Sequence, residues 1–143
     1  MATQPSTPQG NTARVQPESF RARRLSASLI VKDLEASLAW YRDVVGFIIG
    51  QRHERGGVLN AVTLKAGAVQ ILLARDDGAK GLNRVKGQGM SLQFTTVQSV
   101  DDLAARVRTR GGVLESEPAD TPWGTRVFRV KDPDGFTLVI TSE

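Results

Sequence analysis

The fold the sequence predicts is an α+β domain of two βαβββ modules, paired repeats that form a curved mixed sheet around a cavity with the helices on the outside. Three observations predict it. A strand-like run, a capped helix stopped by glycine and three more strand-like runs follow one another from residue 25; the same order recurs from residue 90; and the two helix caps, Asp33 and Ser99, stand 66 residues apart. A unit repeated at that spacing implies two pseudo-equivalent modules.

Module one (25–75) opens on LSASLIVK, a strand candidate ending at Lys32. Asp33 then caps a helix whose apolar residues Leu34, Leu38, Tyr41 and Val45 fall at helical spacing, and Gly46 stops it. FIIGQR from 47, VLNAVTL from 58 and AVQILLA from 68 read as strands separated by Gly56-Gly57 and Ala66-Gly67. The glycine-rich connector (76–89) lacks the spacing of a phosphate loop and reads as a hinge or lid.

Module two (90–142) begins with the strand MSLQFTTV; Ser99 caps a helix with Val100, Leu103 and Val107 on its apolar stripe, and Gly111-Gly112 ends it. VLESE from 113, TRVFRV from 125 and FTLVITS from 136 are the remaining strands. Asp132-Pro133-Asp134-Gly135 joins the last two and suits a type I turn with proline at its second position.

With 143 residues, 40% hydrophobic and 24% charged, the chain is long enough for one globular domain with a real core. It contains no apolar run of the roughly 20 residues that span a bilayer, and residues 1–20 lack the apolar centre of a signal peptide, so a cytoplasmic protein without membrane contact is expected. The absence of cysteine closes thiol chemistry and thiolate metal sites. Of the net charge of +4, +3 belongs to residues 1–24, a basic tail expected to be disordered. The remaining 15 basic and 14 acidic residues, over 25–143, leave the domain (25–142) nearly neutral, without the basic face that nucleic-acid binding requires.

Alternation divides each strand into two columns. Leu25, Ala27, Leu29 and Val31, with Val69, Ile71 and Leu73, Met90, Leu92 and Phe94, and Phe136, Leu138 and Ile140, form an apolar face expected against the helices. The opposite face carries Ser26, Ser28, Gln70, Ser91, Gln93, Thr137, Val139 and Thr141, an uncharged wall.

LIVKDLEASLAWYRDVVGF and PWGTRVFRVKDPDGFTLVI resemble the opening and closing signatures of the vicinal oxygen chelate superfamily, which includes glyoxalase I, extradiol dioxygenases, fosfomycin-inactivating enzymes and bleomycin resistance proteins. The resemblance covers residues 25–142. It implies a site on the polar face, where metal-dependent relatives place His, Gln or Glu ligands, and it carries those ligand positions onto Ser26, Gln70, Ser91 and Val139. Two hydroxyls, one amide and a valine do not repay the dehydration of a divalent ion. With His53 as the single histidine, a two-histidine, one-carboxylate iron site is not available in one subunit. No metal, cofactor or catalytic residue is therefore assigned.

The uncharged wall suits a small neutral or weakly polar, aromatic molecule, and the resemblance to metal-free members implies a homodimer that sequesters its ligand in a cleft, as bleomycin resistance proteins do. A cationic drug such as bleomycin fits poorly against a wall without carboxylates. Trp123, between Pro122 and Gly124, is the stacking candidate. Arg126 and Phe128 share one face of the next strand and complete the candidate ligand-binding set with Ser26, Ser28, Gln70, Ser91, Gln93, Trp123 and Val139. His53 reads as a surface residue and Trp40 as core. The competing readings are a lyase or isomerase of the same superfamily, disfavoured by the absence of a base at the carried-over positions, and a structural or regulatory interaction domain.

Overall fold

The structure is a computed structural model and describes residues 19–143, so most of the basic tail lies outside the described residues. Its elements are β1 (Ala27–Val31), α1 (Leu34–Ala39) prolonged by a π-helical turn (Trp40–Val45), β2 (Ile48–Arg55), β3 (Val58–Ala66), β4 (Val69–Arg75), β5 (Ser91–Thr96), α2 (Val100–Thr109), β6 (Leu114–Asp120), β7 (Arg126–Lys131) and β8 (Thr137–Ser142). Leu25 and Ser26 precede the first strand, and Leu25 is exposed rather than in the core.

The helix starts arise as the caps predict. The Asp33 carboxylate accepts from Ala36 N at 3.0 Å and the Ser99 hydroxyl from Asp102 N at 3.2 Å, each satisfying a donor that the first turn leaves without a partner. At the other end of the first helix, the Tyr41 carbonyl accepts from both Gly46 N and Phe47 N at 2.9 Å. Gly46, at φ 106°, supplies the left-handed residue that ends the turn.

The strands form two four-stranded mixed sheets, ordered β1-β4-β3-β2 and β5-β8-β7-β6, with the first pair in each parallel and the others antiparallel. They are two ladders rather than one continuous curved sheet. What unites them is the core: Leu29, Val31, Leu64 and Leu73 from the first sheet, Phe128, Val130, Leu138 and Ile140 from the second, and Leu34, Tyr41, Val100 and Val107 from the helices belong to one apolar cluster. Edge-to-face contacts run from Tyr41 to Phe47 at 5.4 Å and from Phe47 to Phe94 at 5.7 Å, crossing from one module to the other. The opposite face of each sheet is left largely open.

The connector is fastened, which corrects its reading as a hinge or lid. Lys86 Nζ lies 2.8 Å from Asp76 and 3.2 Å from Asp134, and these three side chains are 6% exposed or less. Arg84 reaches Asp76 at 3.2 Å, and Lys32 N donates to Asp134 at 2.8 Å. Gly87 packs so closely on the β7–β8 turn that an added Cβ would stand 2.9 Å from the Gly135 carbonyl oxygen. A buried cation held between two carboxylates and a backbone seated on a turn make this segment a strap across the end of module two.

Candidate functional site

Strand pairing decides which side chains share the open faces. In the first sheet, Ser28 stands opposite Leu72, which stands opposite Thr63; Ile30, Ala74, Ala61 and His53 make the next rung on that face. In the second, Gln93, Val139, Arg129 and Ser116 form one rung, and Ser91, Thr137 and Lys131 another. Ser28, Gln70, Ser91 and Gln93 are exposed on these faces and Thr137 is half-buried, whereas Val139 is only 3% exposed.

The wall is not uncharged. The columns considered from sequence came from β1, β4, β5 and β8; β3, β6 and β7 add Lys65, Glu115, Arg129 and Lys131, with Lys131 3.4 Å from Glu115. Alternation places Val127, Arg129 and Lys131 on the open face of β7, and Arg126 and Phe128 on the opposite column. That column corrects two expected site residues. Phe128 is 1% exposed within the apolar core, because its side chain points to the helices. Arg126 is bound to Asp101 of α2 and Asp120 of β6, each at 3.0 Å, so its guanidinium serves the helix side of the sheet.

Trp123 is 77% exposed on the β6–β7 loop. The loop is closed by Thr121 N donating to Thr125 O at 2.7 Å and Thr125 N to Thr121 Oγ1 at 3.0 Å, which holds the indole on a tied turn. Met90, expected in the core, is half exposed and joins Gly89, Ser91, Glu115, Arg129 and Thr137 around an open hollow of about 510 Å³ on the second sheet. An adjoining hollow of about 500 Å³ is walled by Arg84 and Lys86 of the strap and by Asp134 of the β7–β8 turn.

Register also tests the metal-ligand positions. Counting back three rungs from the last rung of each parallel pair, Val31–Arg75 and Thr96–Ser142, gives Ser28–Leu72 in module one and Gln93–Val139 in module two. Leu72, not Gln70, is therefore the counterpart of Val139; Ser26 precedes the ladder of module one, whereas Ser91 pairs with Thr137 in module two. Two aliphatic side chains at the matched positions offer no donor, and among the described residues no three His, Asp or Glu side chains converge as a metal set. The residues present do not fit a bound divalent ion.

Residues 23–140 match the family described as Glyoxalase/Bleomycin resistance protein/Dioxygenase superfamily. The chain belongs to this superfamily. Solved structures of the same architecture include TioX from Micromonospora sp. ML1, at 22% identity and a TM-score of 0.66, covering 85% of this chain and 98% of that one. A superfamily member from Sphaerobacter thermophilus DSM 20745 has 26% identity and a TM-score of 0.67, over 86% and 98%. A glyoxalase-related enzyme from Fulvimarina pelagi has 20% identity and a TM-score of 0.67, over 85% and 88%. No curated protein matches the chain in sequence. The two βαβββ units of this superfamily member are thus shared with its structural neighbours, while its site chemistry has to be read from its own side chains.

Proposed function

We propose that this superfamily member binds a small, largely neutral or weakly polar aromatic molecule without a metal, on the open sheet faces. The observation that carries the reading is the pair of matched rungs, Ser28–Leu72 and Gln93–Val139, where short hydroxyl, amide and aliphatic groups stand in place of carboxylates and imidazoles. Amide and hydroxyl groups orient a ligand through single hydrogen bonds, and leucine and valine supply apolar contact. Trp123 offers an exposed aromatic surface for stacking, and sequestration of this kind would act in a cell as drug resistance does.

A second copy of the chain covers the open faces in this reading. Ile30 is 44% and Ile48 69% exposed on the first sheet, an apolar surface that a homodimer would bury. A lyase or isomerase activity would require a base. His53, on the open face at edge strand β2, is exposed, and no hydrogen bond orients it among the described residues.

Thermal-shift and Trp fluorescence titrations of metal-stripped protein with a panel of neutral aromatic compounds test the proposal, with sedimentation equilibrium for the dimer. Saturable binding that chelator leaves unchanged is expected. Binding that appears only after a divalent ion is added would overturn it.

A further inference from the structure

The hollow on the second sheet contains a cation, Arg129, that no carboxylate pairs with among the described residues. Arg129 lies on β7, an interior strand between β8 and β6, on the face opposite the buried Phe128 and Val130. Its neighbours across the rung are Val139 and Ser116, and it lines the hollow beside Ser91, Thr137, Met90 and Glu115. The nearby carboxylate is already engaged, since Glu115 Oε2 lies 3.4 Å from Lys131 Nζ. Arg126 on the same strand pairs with Asp101 and Asp120, but among the described residues no ion pair engages Arg129. With Lys131 beside Glu115, the three charged groups at the hollow, Arg129, Lys131 and Glu115, sum to one positive charge, and Arg129 offers a planar group with several donors, flanked by two hydroxyls and an aliphatic floor.

We propose that Arg129 is the anion-recognising residue of this site, and that the ligand is an aromatic carboxylic acid whose carboxylate meets the guanidinium while its ring lies toward Val139 and Met90. The inference rests on the ligand-binding reading above and gives that ligand a charged end. A guanidinium fork matches the two oxygens of a carboxylate, and charge-assisted bonds of this kind are about twice as strong as neutral ones. The Ser91 and Thr137 hydroxyls, on the adjacent rung, are placed to donate to the same group.

Calorimetric titration of the full chain with 1-naphthoate and the uncharged 1-naphthamide at neutral pH tests the proposal, repeated on Arg129→Met and Arg129→Lys. The acid is expected to bind about tenfold more tightly than the amide, with a preference that weakens as salt is raised. Arg129→Met should abolish the preference, and Arg129→Lys should restore part of it. Equal binding of acid and amide by the native chain, or a preference that survives Arg129→Met, would overturn the assignment of Arg129 and leave the ligand-binding reading standing. Failure of both compounds to bind would overturn both.

Discussion

The Tyr41 hydroxyl donates to Asp132 Oδ2 at 2.7 Å, a buried hydrogen bond between residues 91 positions apart that ties the first helix to the β7–β8 turn. Asp132 Oδ1 accepts from Asp134 N at 2.9 Å and Phe136 N at 2.8 Å, so one carboxyl group shapes the turn with one oxygen and joins the modules with the other. Burial pushes the Asp132 carboxyl above its ordinary range, against the pull of the Tyr41 bond, and burial beside that carboxyl raises Tyr41 as well.

Tyr41→Phe removes a single hydroxyl and leaves Asp132 short of one donor in a site closed to water. The expected cost is about 1–3 kcal/mol, read as a lower urea midpoint in equilibrium unfolding. An unchanged midpoint would show that the link contributes nothing to stability.

The raised Asp132 carboxyl sets a sign for pH dependence. A carboxyl that binds its proton more tightly when folded contributes stability below its unfolded value, near 3.8, and loses it as pH rises through the folded value. Asp132→Asn keeps an acceptor for the turn and cannot titrate. The stability of the native chain relative to this variant should fall as pH is raised from about 3 toward neutrality. Urea unfolding of both proteins across that range checks it, and a constant or growing advantage would contradict it.

Lys86→Met leaves the buried carboxylates of Asp76 and Asp134 facing each other without their shared cation. The loss of stability should far exceed that of Arg42→Ala, whose ion pair with Asp43 is half exposed on both sides. The hydrogen bond from Lys86 holds the Asp76 carboxyl below its usual range, so its contribution is present above about pH 4 and disappears as pH falls through the folded value. The gap between native chain and variant should accordingly narrow in acid when both are unfolded by denaturant.

Gly112→Ala tests the contact between helices. A Cβ there would stand 2.5 Å from Val107 Cγ1 and 2.7 Å from Val44 Cγ1, with the Val107 carbonyl oxygen at 3.0 Å. Stiff β-branched neighbours cannot swing aside, so a loss of about 1–3 kcal/mol is expected in thermal or urea unfolding. A variant as stable as the native chain would mean that the helices separate freely.

The elements were legible because each is announced locally. Asp33 and Ser99 cap where sequence places them, Gly46 ends its helix, and Leu29, Leu73 and Leu138 fall on the face that alternation assigns. The site was legible only by column, not by partner. That Val139 matches Leu72 rather than Gln70 depends on the rungs of two parallel strand pairs, and nothing in either strand alone fixes its register. Lys86 with Asp76 and Asp134, and Tyr41 with Asp132, are contacts of the folded chain across long sequence separations, so the connector looked loose until its partners were known. Arg129 is legible in principle, because it alternates with the buried Phe128 and Val130.

The metal-free reading of the open faces of this superfamily member is decided by metal content. Chelator-stripped protein would be titrated with nickel, zinc and ferrous ions by calorimetry, then desalted and assayed for metal by mass spectrometry. The account predicts no stoichiometric uptake of any of the three. One ion per chain held at submicromolar affinity, and lost on substitution at Ser26, Gln70 or Ser91, would contradict it.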